Sequence, residues 1–402
     1  MRWERITLAA AILLTGTSAF AEIAGSFLRK KEEPKVLALP KEKPWYCMPM
    51  EESWVSYNAW INFLYWQPLE DNIEPAGFKE NVTDIGFSGP TNSGFVVNMG
   101  TNFKPGFQMG FGTNLDYGEV DLSAEYTRFY STNHQEASNN QYIPMQLDPG
   151  TLFTFLNGIT NATGGIGLAA PFSYDETWDL KMNIADLELG SWSHKRKFIE
   201  THPFVGLRGA WIDQTLDVEY VANFVNSGEQ VGTTGAMVKT KSWAIGPRGG
   251  IATNVKLGKG FKFYAVGAGD LLYTNYKWHG QSFALVPSAG LSDVGPVNWK
   301  SDSTQSNIST LRSHFDLDLG FRWGICFNDR KSRFEFSAGY EMQVFFDQNM
   351  FRHFTTMIEE IGILAAPSVE TELIGVVSTP ISTEPDGNLY LQGLKVSADF
   401  TF

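Results

Sequence analysis

Cysteine is almost missing from this 402-residue chain: only Cys47 and Cys326 occur. Two thiols cannot build a disulfide framework or a four-ligand zinc cluster. Long apolar runs are missing as well. Past the first residues, no stretch approaches the roughly 18 uncharged apolar residues that a membrane-crossing helix needs. Positive charge is in deficit, with 31 Lys and Arg against 44 Asp and Glu, a formal net charge of −13. Such a chain repels phosphate backbones, so nucleic acid is excluded as a partner. Metal and nucleotide motifs are lacking too. His134, His194, His202, His279, His314 and His353 show no H-E-x-x-H or related spacing. Gly165-Ile166-Gly167 sits in no strand-then-helix context, and Gly258-Lys259-Gly260 lacks the Ser or Thr of a phosphate loop. No metal site and no cofactor is expected.

Aromatic residues are abundant, at 14% of the chain, while mean hydropathy is only −0.18. That pairing suits a sheet with one apolar and one polar face, because the two faces cancel in the average. The N-terminus carries Arg2 and Arg5, a short apolar run from Ile6 to Leu14, and Ala19-Phe20-Ala21. This is the layout of a secretory signal with a small-x-small cleavage site, so residues 1–21 are expected to be removed. Residues 22–50 contain Lys30-Lys31-Glu32-Glu33-Pro34 and the later Pro40, Pro44 and Pro49, a composition for a periplasmic linker that forms no core. Residues 51–402 are expected to form one transmembrane barrel.

The decisive pattern has a period of two. Between Leu311 and Phe327, Leu311, Phe315, Leu317, Leu319, Phe321, Trp323 and Ile325 share one parity. Arg312, His314, Asp316, Asp318 and Arg322 share the other. Reversing the faces would aim two arginines at lipid, at about 2–4 kcal/mol each near the midplane. The next segment alternates Phe334, Phe336, Ala338, Tyr340 and Met342 with Arg333, Glu335 and Glu341. The last one sets Leu394, Val396, Ala398, Phe400 and Phe402 against Lys395 and Asp399. Weaker versions cover Val55–Tyr65, Gly106–Leu115, Val120–Tyr126, Trp178–Leu189, His202–Asp213, Ser242–Leu257 and Phe261–Tyr276. The expected fold is all-β: an antiparallel transmembrane barrel of about ten strands, with ten to fourteen as the range. In lipid only helices and closed sheets pair every backbone amide.

Connections alternate between short turns, expected in the periplasm, and long loops, expected outside. The turns are Asp116–Gly118, His194–Lys197, Gly258–Gly260 and Asn328–Lys331; the loops are 67–105, 131–177, 217–241, 277–310 and 346–388. An even strand number places both termini in the periplasm. Further hairpins are expected first at Thr151–Leu156 and Thr371–Val377. Phe354, Met357, Ile358, Ile361 and Leu364 fall at helical spacing, which fits a loop helix that either enters the barrel or caps its rim. Trp178–Leu189 loses its alternation after Ile184, which implies a bulge there. Pro247 inside a strand implies another near Gly246–Gly250. Cys47 and Cys326 are disulfide candidates in an oxidising compartment, with unpaired thiols or cross-links between molecules as the alternatives.

Several stretches resemble the Legionella major-outer-membrane-protein-like family, found also in chlamydia-like bacteria. They are Ala59–Trp66, PGFQMGFGTNLDYGEVDLSAEYTRF at 105–129, HPFVGLRGAWIDQ at 202–214, SWAIGPRGGIATNVKLGKGF at 242–261, GYEMQVFFDQNMF at 339–351 and the closing LQGLKVSADFTF. The resemblance implies an abundant outer-membrane porin that passes small hydrophilic solutes and ions, with no catalytic residues. The inward Arg208, Arg312, His314, Asp316, Asp318, Arg322, Arg333, Glu335, Glu341, Lys395 and Asp399 are expected to line the pore. Phe402 ends an amphipathic strand, the form of signal read by the outer-membrane insertion machinery. Other expected partners are outer-membrane lipid and lipopolysaccharide; a homo-oligomer is left open. Two rival readings stand beside the porin. One is a surface hydrolase on the barrel, for which His314 with Asp316 and Asp318 is the nearest constellation. The other is a structural or adhesive barrel with a plugged lumen.

Overall fold

The computed structural model describes residues 55–73, 76–79, 94–97, 99–115, 120–138, 142–144, 173–191, 194–195, 198–223, 230–286, 297–327, 332–349, 351, 354–356, 380–382 and 387–402. Ten long strands follow one another: β1 (Val55–Glu70), β2 (Lys104–Leu115), β3 (Val120–Ser138), β4 (Ser173–Ser191), β5 (Ile199–Asn223), β6 (Gln230–Gly258), β7 (Phe261–Val286), β8 (Val297–Phe327), β9 (Ser332–Phe345) and β10 (Leu389–Thr401). Each pairs antiparallel with its sequence neighbours, and β10 pairs with β1 to close the ring. Closure leaves no sheet edge, so the backbone amides find partners all the way round. The closing seam runs from Asn58↔Thr401 to Glu70↔Leu389, and Tyr57 and Phe402 exchange both backbone hydrogen bonds beyond it, at 2.8 and 2.9 Å.

The short turn between β6 and β7 shows why its glycines are there. Gly258, Lys259 and Gly260 have φ of 100°, 53° and 85°, and a side chain is strained at the outer two. Asn307 in β8 has φ of 61° and sits at the one register shift between β7 and β8, a bulge. The two bulges expected from sequence are absent. The ladders on both sides of β4 run without a shift past Ile184. The β6–β7 register is the same before Gly246 and after Pro247, which are merely left out of that ladder; Pro247 still faces Leu207 on β5.

Six strands, β3 to β8, are longer than expected. The presumed loop 217–241 shrinks to residues 224–229, and 277–310 shrinks to 287–296. Strand β3 reaches Ser138, and β4 starts at Ser173. Within the remaining loops, Ala76–Lys79 pairs with Gly94–Val97 and Tyr142–Pro144. Phe354–Thr356 pairs with Pro380–Ser382, so the expected loop helix begins as a strand instead. Among the described residues there is no helix. The signal and linker, Thr151–Leu156, Thr371–Val377 and residues 357–364 lie outside the described residues.

Candidate functional site: the barrel interior

The outer surface of the lower barrel, towards the short turns, is apolar. Ile61, Phe63, Met109, Phe111, Leu207, Ile251, Phe321, Phe336 and Leu394 all project outwards, Phe321 with 59% of its surface exposed. Two aromatic belts bracket this zone. At the short-turn end, Tyr57, Phe111, Phe327, Phe400 and Phe402 form a chain of ring contacts at 5.5–6.1 Å. At the upper border, Trp211 stands opposite Trp243, whose ring lies 6.0 Å from Tyr273. From Phe261 to Tyr273 the chain climbs twelve residues along β7. At ~3.4 Å per residue and a tilt of ~40° that is about 30 Å, the thickness of a bilayer core.

Above the upper belt the faces exchange character. Outward positions become polar: Asp213, Thr215, Asp217 and Glu219 on β5, Lys239 and Lys241 on β6, Lys277 and Gln281 on β7. Inward positions become apolar: Trp66, Phe129, Trp178, Leu180, Met182, Ile184, Ile212, Leu216, Val218, Tyr220, Leu272 and Leu391 are all buried in one core. The six tall strands therefore leave the membrane and continue as one sheet with water on its outer face and apolar packing on its inner face. A hydrogen-bonded chain crosses the interior here. Trp178 Nε1 donates to Gln214 at 3.1 Å, and Gln214 reaches Glu70 on β1 at 3.4 Å. After β9 the chain turns inward: Tyr276 Oη donates to Gln348 at 2.9 Å, and Phe351 is buried in the core.

Below that core lies the charged layer. Arg208 on β5 clasps Asp186 on β4 with two bonds of 2.7 Å. Its other terminal nitrogen lies 3.1 Å from Asp270 on β7 and 3.4 Å from Asp316 on β8. Arg248 on β6 bonds Glu188 at 2.7 Å, Asp316 at 2.7 Å and Asp270 at 3.2 Å. His314 Nδ1 is 2.5 Å from Asp270 and 2.9 Å from Arg208. One nitrogen cannot donate to the carboxylate and accept from the guanidinium at once. The shorter contact fits an Nδ1–H donated to Asp270. His314 is 0% exposed and its ring lies 4.1 Å from Phe345. Two cations and four carboxylates from five strands thus meet in mid-barrel.

A second group lies nearby. Lys395 on β10 faces Asp318 at 3.3 Å and Glu341 at 3.5 Å, and Tyr264 donates to Asp318 at 3.0 Å. On the adjoining wall Glu125 accepts from Trp60 at 2.7 Å and from Gln108 at 2.6 Å. Nearest the short turns, Glu335 is paired with Arg333, and Arg322 lies 3.7 Å away. Lys262 and Lys256 share Glu200, the latter at 2.5 Å. Asp399 stands opposite Glu335 in the ladder. Arg312 lies apart, higher in the barrel, 3.4 Å from Asp347.

All eleven residues singled out in the sequence are therefore on the inward parity. Arg208, His314 and Asp316 come together in the central layer; Asp318, Glu341 and Lys395 in the second group; Arg322, Arg333, Glu335 and Asp399 at the short-turn end. Sequence reading missed Arg248, Asp270, Asp186, Glu188 and Glu125, which complete these groups. Their only signal was parity with Arg208 across the ladder. Cys326 is disulfide-bonded, and Cys47 lies outside the described residues. Asp270, His314 and Asp316 bring ligand atoms within 4.8 Å of one another, as do His134, Glu136 and Asp175 on the exposed outer wall. The first set is already neutralised by Arg208 and Arg248, which leaves little for a cation to gain.

A closed antiparallel barrel with an apolar belt between aromatic girdles and ionised residues inside is a protein of the bacterial outer membrane. The sequence profile of the Legionella pneumophila major outer membrane protein precursor matches residues 48–402, so the chain belongs to that family. No curated protein matches. Among solved structures, the outer membrane protease OmpT from Escherichia coli is similar at 7% identity, covering 89% of this chain and 98% of its own, with a TM-score of 0.35. A major outer membrane protein from Thermus thermophilus is similar at 9% identity, with coverages of 87% and 99% and a TM-score of 0.29. These likenesses carry no argument; the fold rests on the closed ladder itself.

Proposed function

We propose that this protein is a porin that lets small hydrophilic solutes and ions cross the outer membrane passively, through a constriction made by the Arg208–Arg248 layer. The observation that carries this reading is the interleaving of Arg208 and Arg248 with Asp186, Asp270 and Asp316, all pointing into the barrel from five consecutive strands. A barrel that served only as an anchor would gain nothing from ionised groups there. Their desolvation cost makes apolar packing of equal volume as good or better. Charges of both signs lining a lumen create a local field that orders water and sorts solutes by size and charge. Ten strands leave little width, so the conductance is small. Both termini and the short turns lie in the periplasm in this reading, and the long loops face outward.

The reading gives His314 no catalytic task. Its ring is buried and held between Asp270 and Arg208 as a member of the charged layer. The apolar core above the charged layer favours a second reading, a surface barrel with a closed lumen. Reconstitution in planar bilayers separates the two. Discrete conductance steps with a reversal potential in a salt gradient support the porin; a silent membrane at all voltages, with protein shown to be inserted, leaves the closed barrel.

A further inference from the structure

We infer that the outer wall of β6 and β7 just above the Trp211–Trp243 belt seats the phosphate groups of a phosphorylated glycolipid in the outer leaflet. The inference rests on the outer-membrane placement and on the long loops facing outward. Lys241 stands directly opposite Lys277 in the ladder, both exposed, and exposed Lys239 follows two residues higher on the same face. Like charges directly opposite on adjacent strands repel and cost stability. Among the described residues neither Lys241 nor Lys277 has an ion-pair partner that would offset this. Asp213 lies cross-strand from Lys241, and Asp217 lies near Lys239.

Position selects the occupant. Trp243 is two residues below Lys241 on the same outward face and touches Tyr273 at 6.0 Å. Indole and phenol side chains mark the level where hydrocarbon gives way to headgroups. A side chain one step higher therefore meets the headgroup layer. A long lysine stem reaches along the wall while its ammonium stays at that level. An anionic phosphate there neutralises the repelling pair, and each cation near such a surface adds a favourable contribution. The rest of the wall is less suited: higher up, Glu136, Asp175 and Glu219 face one another in a row and repel phosphate.

The test uses the full chain in detergent, titrated with bis-phosphorylated lipid A, with its dephosphorylated form, and with inorganic phosphate. Wild-type protein should bind the bis-phosphorylated lipid roughly tenfold more tightly than the dephosphorylated one, and K241Q/K277Q should lose that preference. Lys259→Gln, in the turn at the opposite end, should keep it. Equal binding of both lipids by wild type, or an unchanged preference in the double variant, overturns the inference, as does equally tight binding of free phosphate. Membrane placement is checked separately. The fluorescence lost in Trp243→Phe should be quenched by lipids brominated near the headgroup. If it is not, the belt is misplaced, and the failure belongs to the placement and not to the lysines.

Discussion

The two halves of this barrel solve opposite problems: ten strands build the lower half, and six of them, β3 to β8, carry on into the upper. Below Trp211 and Trp243 the solvent is hydrocarbon, so Leu207, Ile251 and Phe321 point outwards and the ionisable residues turn in. Above that line the solvent is water, so Asp217, Lys241 and Lys277 point outwards and Trp178, Ile212 and Leu216 turn in. The pleat is continuous through the border; β5 carries Arg208 and Leu216 on the same inward face. What changes is which parity holds the apolar residues. The lower half keeps its shape through the closed ladder, and its apolar residues are already out of water on the outside. Its interior must then neutralise charge by pairing, as Arg208 does with Asp186. The upper half must supply its own oil, and does so with a packed aromatic core.

The comparison can be broken from either side. Arg208→Met should have a large effect, about 3–5 kcal/mol, because it strands Asp186 without its cation and leaves Asp270 with Arg248 alone. The unfolding midpoint in urea, followed by gel mobility, measures it, and a second change of Asp186 to Asn should recover part of the loss. Trp178→Ala in the upper core should cost about 3–5 kcal/mol, through a cavity and not through charge. Only Arg208→Met should alter ion selectivity in bilayers; equal changes in both would erase the distinction between the halves.

Outward positions sharpen the border. Phe321→Arg should cost about 2–4 kcal/mol, since the guanidinium must sit in lipid. Thr215→Arg, on the outer wall above Trp211, should stay within ~0.5 kcal/mol, as surface changes in water do. Comparable losses would mean that the hydrocarbon reaches further up the wall. The smallest effect concerns the acidic rows above the membrane. Burial, and then the neighbouring Asp175 carboxylate, raise the pKa values of Asp217 and Glu219. A raised carboxyl costs stability where it is ionised, and that cost fades as pH falls towards its unfolded value near about 4. Asp175→Asn should therefore raise the melting temperature slightly at pH 7 and not at about pH 4.

Legibility in the sequence followed the solvent. Between Leu311 and Phe327, and again from Arg333 to Val344, the bilayer-facing template matched, and both faces came out as expected. Trp178–Leu189 misled for a definite reason. Trp178, Leu180, Met182 and Ile184 looked like a lipid face, so Asp186 and Glu188 looked like a slip. All six are inward, and the strand simply crosses the border near Ala185. The same inversion made 217–241 and 277–310 read as loops, because Asp217, Lys239 and Lys277 sit where a membrane strand would carry leucine.

Alternation of side-chain character is written in the chain itself, since successive residues of a strand point to opposite faces. It was enough to determine the sheet, its closure into a barrel and the inward parity of all eleven predicted residues. Which residues meet inside the barrel was decided by the tertiary structure alone. Arg208 finds Asp186, Asp270 and Asp316 only because shear and ladder register bring five strands to one level. That register is a property of the closed ring, which no single strand contains.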